Sequence, residues 1–221
     1  MLTENRLVIP YETAPKRYSN DAFYIKLGID PWSAEYPPGD FPRPTACARL
    51  SYSSGCFYVR LRSFRPADEL IMRRDHFGEP VCRDSCLEFF FAPVPGSDKY
   101  FNFEANPSAT LYIGFSESGT RAGSRLLTEL TEEKVRELFA PGSVIRPAYR
   151  EISYRIPYAF IRLYCPEFTD PVPGNILRAN FYSCCDDSAA PHYTVWHDVT
   201  SNEPDYHRPE DFGELAYGEK E

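Results

Sequence analysis

The chain has 221 residues, 43% of them hydrophobic and 15% aromatic, with 21 prolines and 12 glycines spread along its length; this is the composition of an ordered, loop-rich protein and excludes a disordered one. A formal charge of −8 excludes nucleic acid and anionic membrane as expected partners, because both call for a basic footprint. No apolar run approaches a spanning helix or a signal-peptide core, and seven cysteines without a repeated CxxC predict reduced, mostly buried thiols and a cytoplasmic setting, secretion requiring a leader outside this sequence.

Residues 1–20 are polar and irregular in pattern, and a single domain is expected over 21–217. "FYIKL" (23–27) alternates, with Phe23, Ile25 and Leu27 on one side, which is the period of a half-buried strand. "DPWSAEYPPGDFPRP" (30–44) holds too much proline to be regular and predicts a long surface loop of the functional kind. "CFYVRLR" (56–62) alternates again, turning Phe57, Val59 and Leu61 inward and Arg60 and Arg62 outward. "TEEKVRELF" (131–139) is the clear helix: Thr131 caps it, two glutamates suit its positive end, and Val135, Leu138 and Phe139 form an apolar stripe. "EISYRIP" (151–157) and "ILRANFYSC" (176–184) are strand-like, and an aromatic, histidine-bearing tail follows over 192–217. Many short strands with one or two short helices predict a mainly β fold, an antiparallel β-sandwich.

The stretch from Val81 to Phe115 raises a chemical question. In "CLEFFFA" Leu87, Phe89 and Phe91 share one parity and Glu88 and Phe90 the other; in "YFNFEAN" Phe101, Phe103 and Ala105 oppose Tyr100, Asn102, Glu104 and Asn106. A hairpin that matches apolar faces therefore sets Glu88 beside Glu104, and like charges facing one another destabilise a sheet. A cation or a proton must relieve them. The same parity in "ILRANFY" puts Arg178, Asn180 and Tyr182 on the polar side, and arginine is the residue that matches carboxylates bidentately.

Two readings of this face follow. It is either a solvated or helix-covered surface with paired charges, or a sugar site in which amides, carboxylates and guanidinium groups meet hydroxyls and aromatic rings meet the C–H faces of the ring. Asp75 and Asp84, with Glu88 nearby, are oxygen donors of the type calcium takes, without a dedicated ligand spacing. Paired carboxylates also suit a glycoside hydrolase, and His192, Tyr193 and His207 offer acid–base groups, but no nucleophile elbow, phosphate loop or HExxH is present. Met72 is the one internal methionine and a weak haem ligand. A cytoplasmic protein-interaction module is the remaining alternative.

Taken together, "RRDHFGEPVCRDSCLEFFFAP", "YFNFEANPSATLY", "EISYRIPYAFI", "GNILRANFYSC" and "PHYTVWHDV" to "DYHRPEDFGEL" resemble the family-nine carbohydrate-binding module superfamily, and most of all its stand-alone "family 9-like" bacterial proteins. The resemblance spans about residues 21–217. It implies a β-sandwich that binds mono- or oligosaccharide without cleaving it, needs no cofactor, often carries structural calcium, and clamps a sugar between two tryptophans. Carried over, it implies Asp84 and Glu88, then Asn102, Glu104 and Asn106, and Trp196. The chain departs from the pattern at Cys82, where such modules place an aromatic, which leaves Trp32 of the long loop as the substitute ring.

Overall fold

Alternation of this kind builds two sheets in the computed structural model, which describes residues 6–13, 23–37 and 43–220. In chain order the elements are β1 (Leu7–Ile9), β2 (Ile25–Leu27), β3 (Thr45–Tyr52), β4 (Cys56–Phe64), β5 (Cys86–Ala92), β6 (Tyr100–Ala105), β7 (Leu111–Ser116) and β8 (Ser124–Leu126). Helix α1 (Glu132–Phe139) then leads to β9 (Gly142–Arg146), β10 (Tyr149–Pro157), α2 (Tyr158–Tyr164), β11 (Ile176–Cys184), β12 (Tyr193–Val195) and β13 (Gly213–Tyr217). One sheet has eight strands in the order β1-β13-β11-β5-β6-β7-β8, with β12 also paired to β11; the other has five in the order β2-β3-β4-β10-β9.

The apolar parities meet between the sheets, and the protein is a β-sandwich. Phe89 and Phe91 of β5, Phe101 and Phe103 of β6 and Phe181 of β11 pack against Val59 and Leu61 of β4 and Ile152 and Tyr154 of β10. Phe103 stacks on Tyr154 at 5.6 Å and Phe57 meets Phe91 edge-on at 5.9 Å, so rings of the two inner faces interdigitate. Helix α1 closes one side of this core with Val135 and Phe139. The Thr131 side chain accepts from the Lys134 amide at its start, and Arg155 donates to the carbonyls of Glu137 and Leu138 at its end, which fills orphan acceptors at the negative pole.

Two expectations change, and the second of the one or two expected helices is located. Leu7–Ile9, within the span read as irregular, is a strand that pairs parallel to β13, Leu7 opposite Leu215; three residues are too few to show a period, and an otherwise antiparallel sheet gains a parallel edge. "YAFIRLY" after Pro157 is a second helix, α2, where a seven-residue aromatic run gives neither period a window. Arg60 and Arg62 do face outward, yet not into water: both bond Glu151, and Arg60 is buried. Residues 1–5 and 14–20 of the N-terminal span, and 38–42 of the proline-rich loop, lie outside the described residues.

Candidate functional site

The register matches the parity argument. Glu88 stands opposite Glu104, Phe90 opposite Asn102, Tyr182 opposite Glu88 and Asn180 opposite Phe90, so all of them lie on the outer face of the eight-stranded sheet. That face is neither solvated nor roofed by a helix. The chain after β11 turns back across it and builds a second apolar cluster with Trp32, Val81, Phe90, Tyr100, Tyr182, Val195, Tyr206 and Phe212. Tyr206 stacks on Tyr182 with centroids 4.0 Å apart, and each hydroxyl donates to backbone across the seam, Tyr182 to the Tyr206 carbonyl and Tyr206 to the Ser183 carbonyl.

Under this cover the polar side chains divide into two groups. Asn180 is a staple: its amide donates to the His197 carbonyl and its oxygen accepts from the amides of Phe181 and His197. Asn106 donates to the Arg74 carbonyl and to Asp84, and accepts from the amides of Ser108 and Thr110. Asn102 orients Glu104, donating to its Oε1 at 2.9 Å while accepting from the Ser124 hydroxyl. Gly114 sits opposite Asn102, and a Cβ there would lie 2.3 Å from the Asn102 oxygen, so glycine is what lets this amide lie flat on the sheet. Arg178 points away, to the Pro209 carbonyl and, at 3.6 Å, to Asp98.

Glu88, Glu104, Phe90 and Cys184 form the floor and Tyr193, Tyr206, His207, Asp186, Arg121 and Cys82 the walls of a cavity of about 130 Å³. Arg178 is therefore not what relieves the carboxylate pair; burial favours their protonated forms. Burial, followed by the charge of Glu104, pushes the Glu88 carboxyl well above the usual carboxylate range, and the Cys184 thiol donates to its Oε1 at 3.1 Å. Glu104 is pushed up to about 7, burial outweighing the Asn102 amide that favours its charged form. Arg121 pulls Glu104 the other way from the mouth, where it is itself paired with Asp205 at 3.2 Å. His207 is pushed down to about 4 by burial, so it stays neutral, with Nδ1 2.8 Å from the Tyr100 hydroxyl and its ring 5.1 Å from Phe90. A similar-sized hollow, about 140 Å³, beside the end of α1 is lined by Arg49, Arg60, Arg155, Tyr58, Tyr154 and Phe139 with the single acid Glu12, so it has rings and guanidinium groups but no carboxylate pair.

Neither tryptophan forms a clamp. Trp32 is 1% exposed; its indole donates to the Ser201 carbonyl and its ring backs Tyr193 and Tyr206 at 6.0 and 5.8 Å. Trp196 packs edge-on against Phe181 and lines a different hollow with Leu7, His197 and Phe212. Asp75 and Asp84 do not fit calcium. Asp84 Oδ2 accepts from the amides of Arg73 and Arg74 and from Asn106, and Oδ1 from the Arg74 guanidinium; lone pairs filled by N–H donors are not available to a hard cation. The Asp75 side chain is 81% exposed, beside His76.

Sequence reasoning brought Glu88 and Glu104 together but missed Cys82, Phe90, Arg121, Cys184, Asp186 and Tyr206 as parts of the same cavity. Cys184 was within reach of the parity rule, two residues after Tyr182. The wall residues were not, since nothing local says where the tail after β11, or the segments that carry Cys82 and Arg121, run.

A profile described as Carbohydrate-binding family 9 matches residues 43–217. A comparison with curated proteins gave no match. Among solved structures, a candidate carbohydrate-binding protein from Bacteroides uniformis is 20% identical with a TM-score of 0.74, covering 96% of this chain and 98% of its own. A family 9 carbohydrate-binding module from Caldicellulosiruptor kristjanssonii, solved with glucose and with cellotriose, is 14% identical with a TM-score of 0.58, covering 98% of this chain and 97% and 95% of its own in the two complexes. Among the described residues no helix is long and apolar enough to cross a membrane. With the family profile covering residues 43–217, the chain belongs to carbohydrate-binding family 9.

Proposed function

We propose that this protein binds carbohydrate without turning it over, holding one sugar residue or a chain end in the cavity above Glu88 and Glu104. The observation that carries the reading is the convergence, in one hollow of about 130 Å³, of three acids, a guanidinium and the rings of Tyr193, Tyr206 and Phe90. Protonated acids donate as well as accept, which suits hydroxyl partners, and rings supply apolar walls. A volume below the roughly 300 Å³ of drug-sized pockets favours a single ring. Family membership and the glucose and cellotriose held by the related module point the same way.

Binding rather than hydrolysis is favoured by family membership and by the sugars held intact by the related module. The thiol-bearing floor, Cys184 with Cys82 on the wall, suits a reducing compartment and hence the cytoplasm.

Calorimetry against glucose, cellobiose, cellotriose and a wider panel of mono- and disaccharides tests the reading, with chromatography of the same mixtures for released sugar. Binding is expected to weaken about fivefold in Tyr193→Ala, a loss of about 1 kcal/mol of ring contact. Heatless titrations across the whole panel, or release of sugar on incubation, would overturn it.

A further inference from the structure

We infer that Cys86, Cys184 and Glu88 form a binding site for a thiophilic divalent cation of the zinc class, with its fourth coordination position open to the cavity. Strand geometry assembles the ligands. Cys86 and Glu88 are two apart and so share a face of β5, and Cys184 stands directly opposite Cys86 on β11. Their ligating atoms all lie within 4.8 Å of one another, and Cys184 Sγ is already 3.1 Å from Glu88 Oε1. Zinc about 2.3 Å from sulfur and about 2.0–2.2 Å from oxygen wants tetrahedral ligand atoms roughly 3.5–4 Å apart, a distance that small side-chain rotations reach on two hydrogen-bonded strands.

Two separate observations point to an ion here. Glu88 and Cys184 line the cavity, which gives the cation a route inward and space for a water as fourth ligand. Charge balance is the other. Two thiolates and a carboxylate exceed the charge of the ion by one, and the nearby buried cation is Arg150, which donates to the carbonyl of Ser85, the residue before Cys86. This guanidinium is 1% exposed and its Nε has no hydrogen-bond partner. A buried cation with an unmet donor calls for an anion beside it, and metal-bound thiolate is that anion. Binding releases the thiol protons, and the Glu88 proton when it is held, to solvent. The site shares Glu88 and Cys184 with the sugar cavity but does not rest on sugar binding, since the Tyr193 and Tyr206 walls and Glu104 are not ligands.

The full-length chain, reduced and stripped with chelator, is titrated with Co²⁺, whose sulfur-to-cobalt charge-transfer band reports thiolate ligation, and then with Zn²⁺. The band is expected to saturate at one ion per chain and to vanish as Zn²⁺ displaces cobalt. Cys86→Ser and Cys184→Ser each lower affinity by about tenfold or more and diminish the band; Glu88→Gln, which keeps both thiols, lowers affinity by about tenfold. Cys47→Ser and Cys56→Ser, on the five-stranded sheet, change neither. Absence of the band in the wild-type chain at stoichiometric cobalt overturns the site, as does a band undiminished in the two serine variants with native circular dichroism. Should a serine variant unfold, undiminished affinity in Glu88→Gln overturns it.

Discussion

The outer faces of the two sheets each bury acid, and they neutralise it by different means. On the five-stranded sheet Glu151, 3% exposed at its side chain, is bound by Arg60 at 2.8 Å and Arg62 at 2.6 Å, and the Phe23 ring lies over both guanidinium groups at 4.9 and 4.2 Å. On the eight-stranded sheet Glu88 and Glu104 stand side by side with two thiols, an amide and the distant Arg121 for company. The first arrangement is complete and has no need of a ligand. The second is short of partners, and there the carboxylates themselves line a cavity; a buried acid with a strongly raised pKa in a cavity is a candidate functional group.

That contrast can be broken or sharpened by substitution, beginning where the effect is largest. Glu151→Ala leaves Arg60 buried without its carboxylate and is expected to cost about 3–5 kcal/mol; urea denaturation showing a loss under about 1 kcal/mol would erase the distinction between the faces. Glu104→Gln has the opposite sign. A carboxyl whose pKa rises on folding from 4.5 to about 7 binds more protons in the native state, so its stabilising contribution is full at low pH and is lost as pH climbs through that window. The variant should therefore gain on the wild type between pH 4.5 and 7, by up to about 3 kcal/mol, and parallel stability curves would show that folding does not raise the Glu104 pKa.

Asp84 makes the comparison finer, because it is buried four residues before Glu88 yet behaves like Glu151. Burial pushes its carboxyl up, but the Arg74 amide, the Asn106 side chain and the Arg74 guanidinium together hold it below the ordinary value. Asp84→Asn places an N–H₂ against donors and should cost about 2 kcal/mol, with chemical denaturation as the measure; a neutral outcome would mean that these bonds are not what seats the loop before β5. The smallest effect belongs to Arg178→Ala, under about 1 kcal/mol since its partner Asp98 is exposed. Its decisive feature is the pH profile, which should superimpose on that of the wild type; a profile moved by this change would return Arg178 to the carboxylates.

Much of this was legible one strand at a time. Period-two alternation separates Phe89 and Phe91 from Glu88, and Phe101 and Phe103 from Glu104, without reference to anything distant, and hydrophobic matching then makes the two glutamates neighbours. Thr131 and the stripe of Val135 and Phe139 announce α1 just as locally. The roles of Arg178, Asn180 and the two tryptophans were not legible, because a parity says which way a side chain leaves the backbone and nothing of what meets it. Asn180 and Arg178 share a face; the first is sealed under His197 and the second escapes to Pro209.

The sequence by itself determined the sandwich, the inner core and the pairing of two acids on one outer face, since each depends on side-chain alternation along a strand and on the burial of its apolar half. Only the tertiary structure decided that this face is roofed by the tail after β11, that a cavity remains beneath the roof, and that Arg178 turns away from the carboxylate pair. Those outcomes rest on contacts such as Cys184 with Glu88 and Tyr100 with His207, 96 and 107 residues apart in the chain, and no local period carries information over such separations.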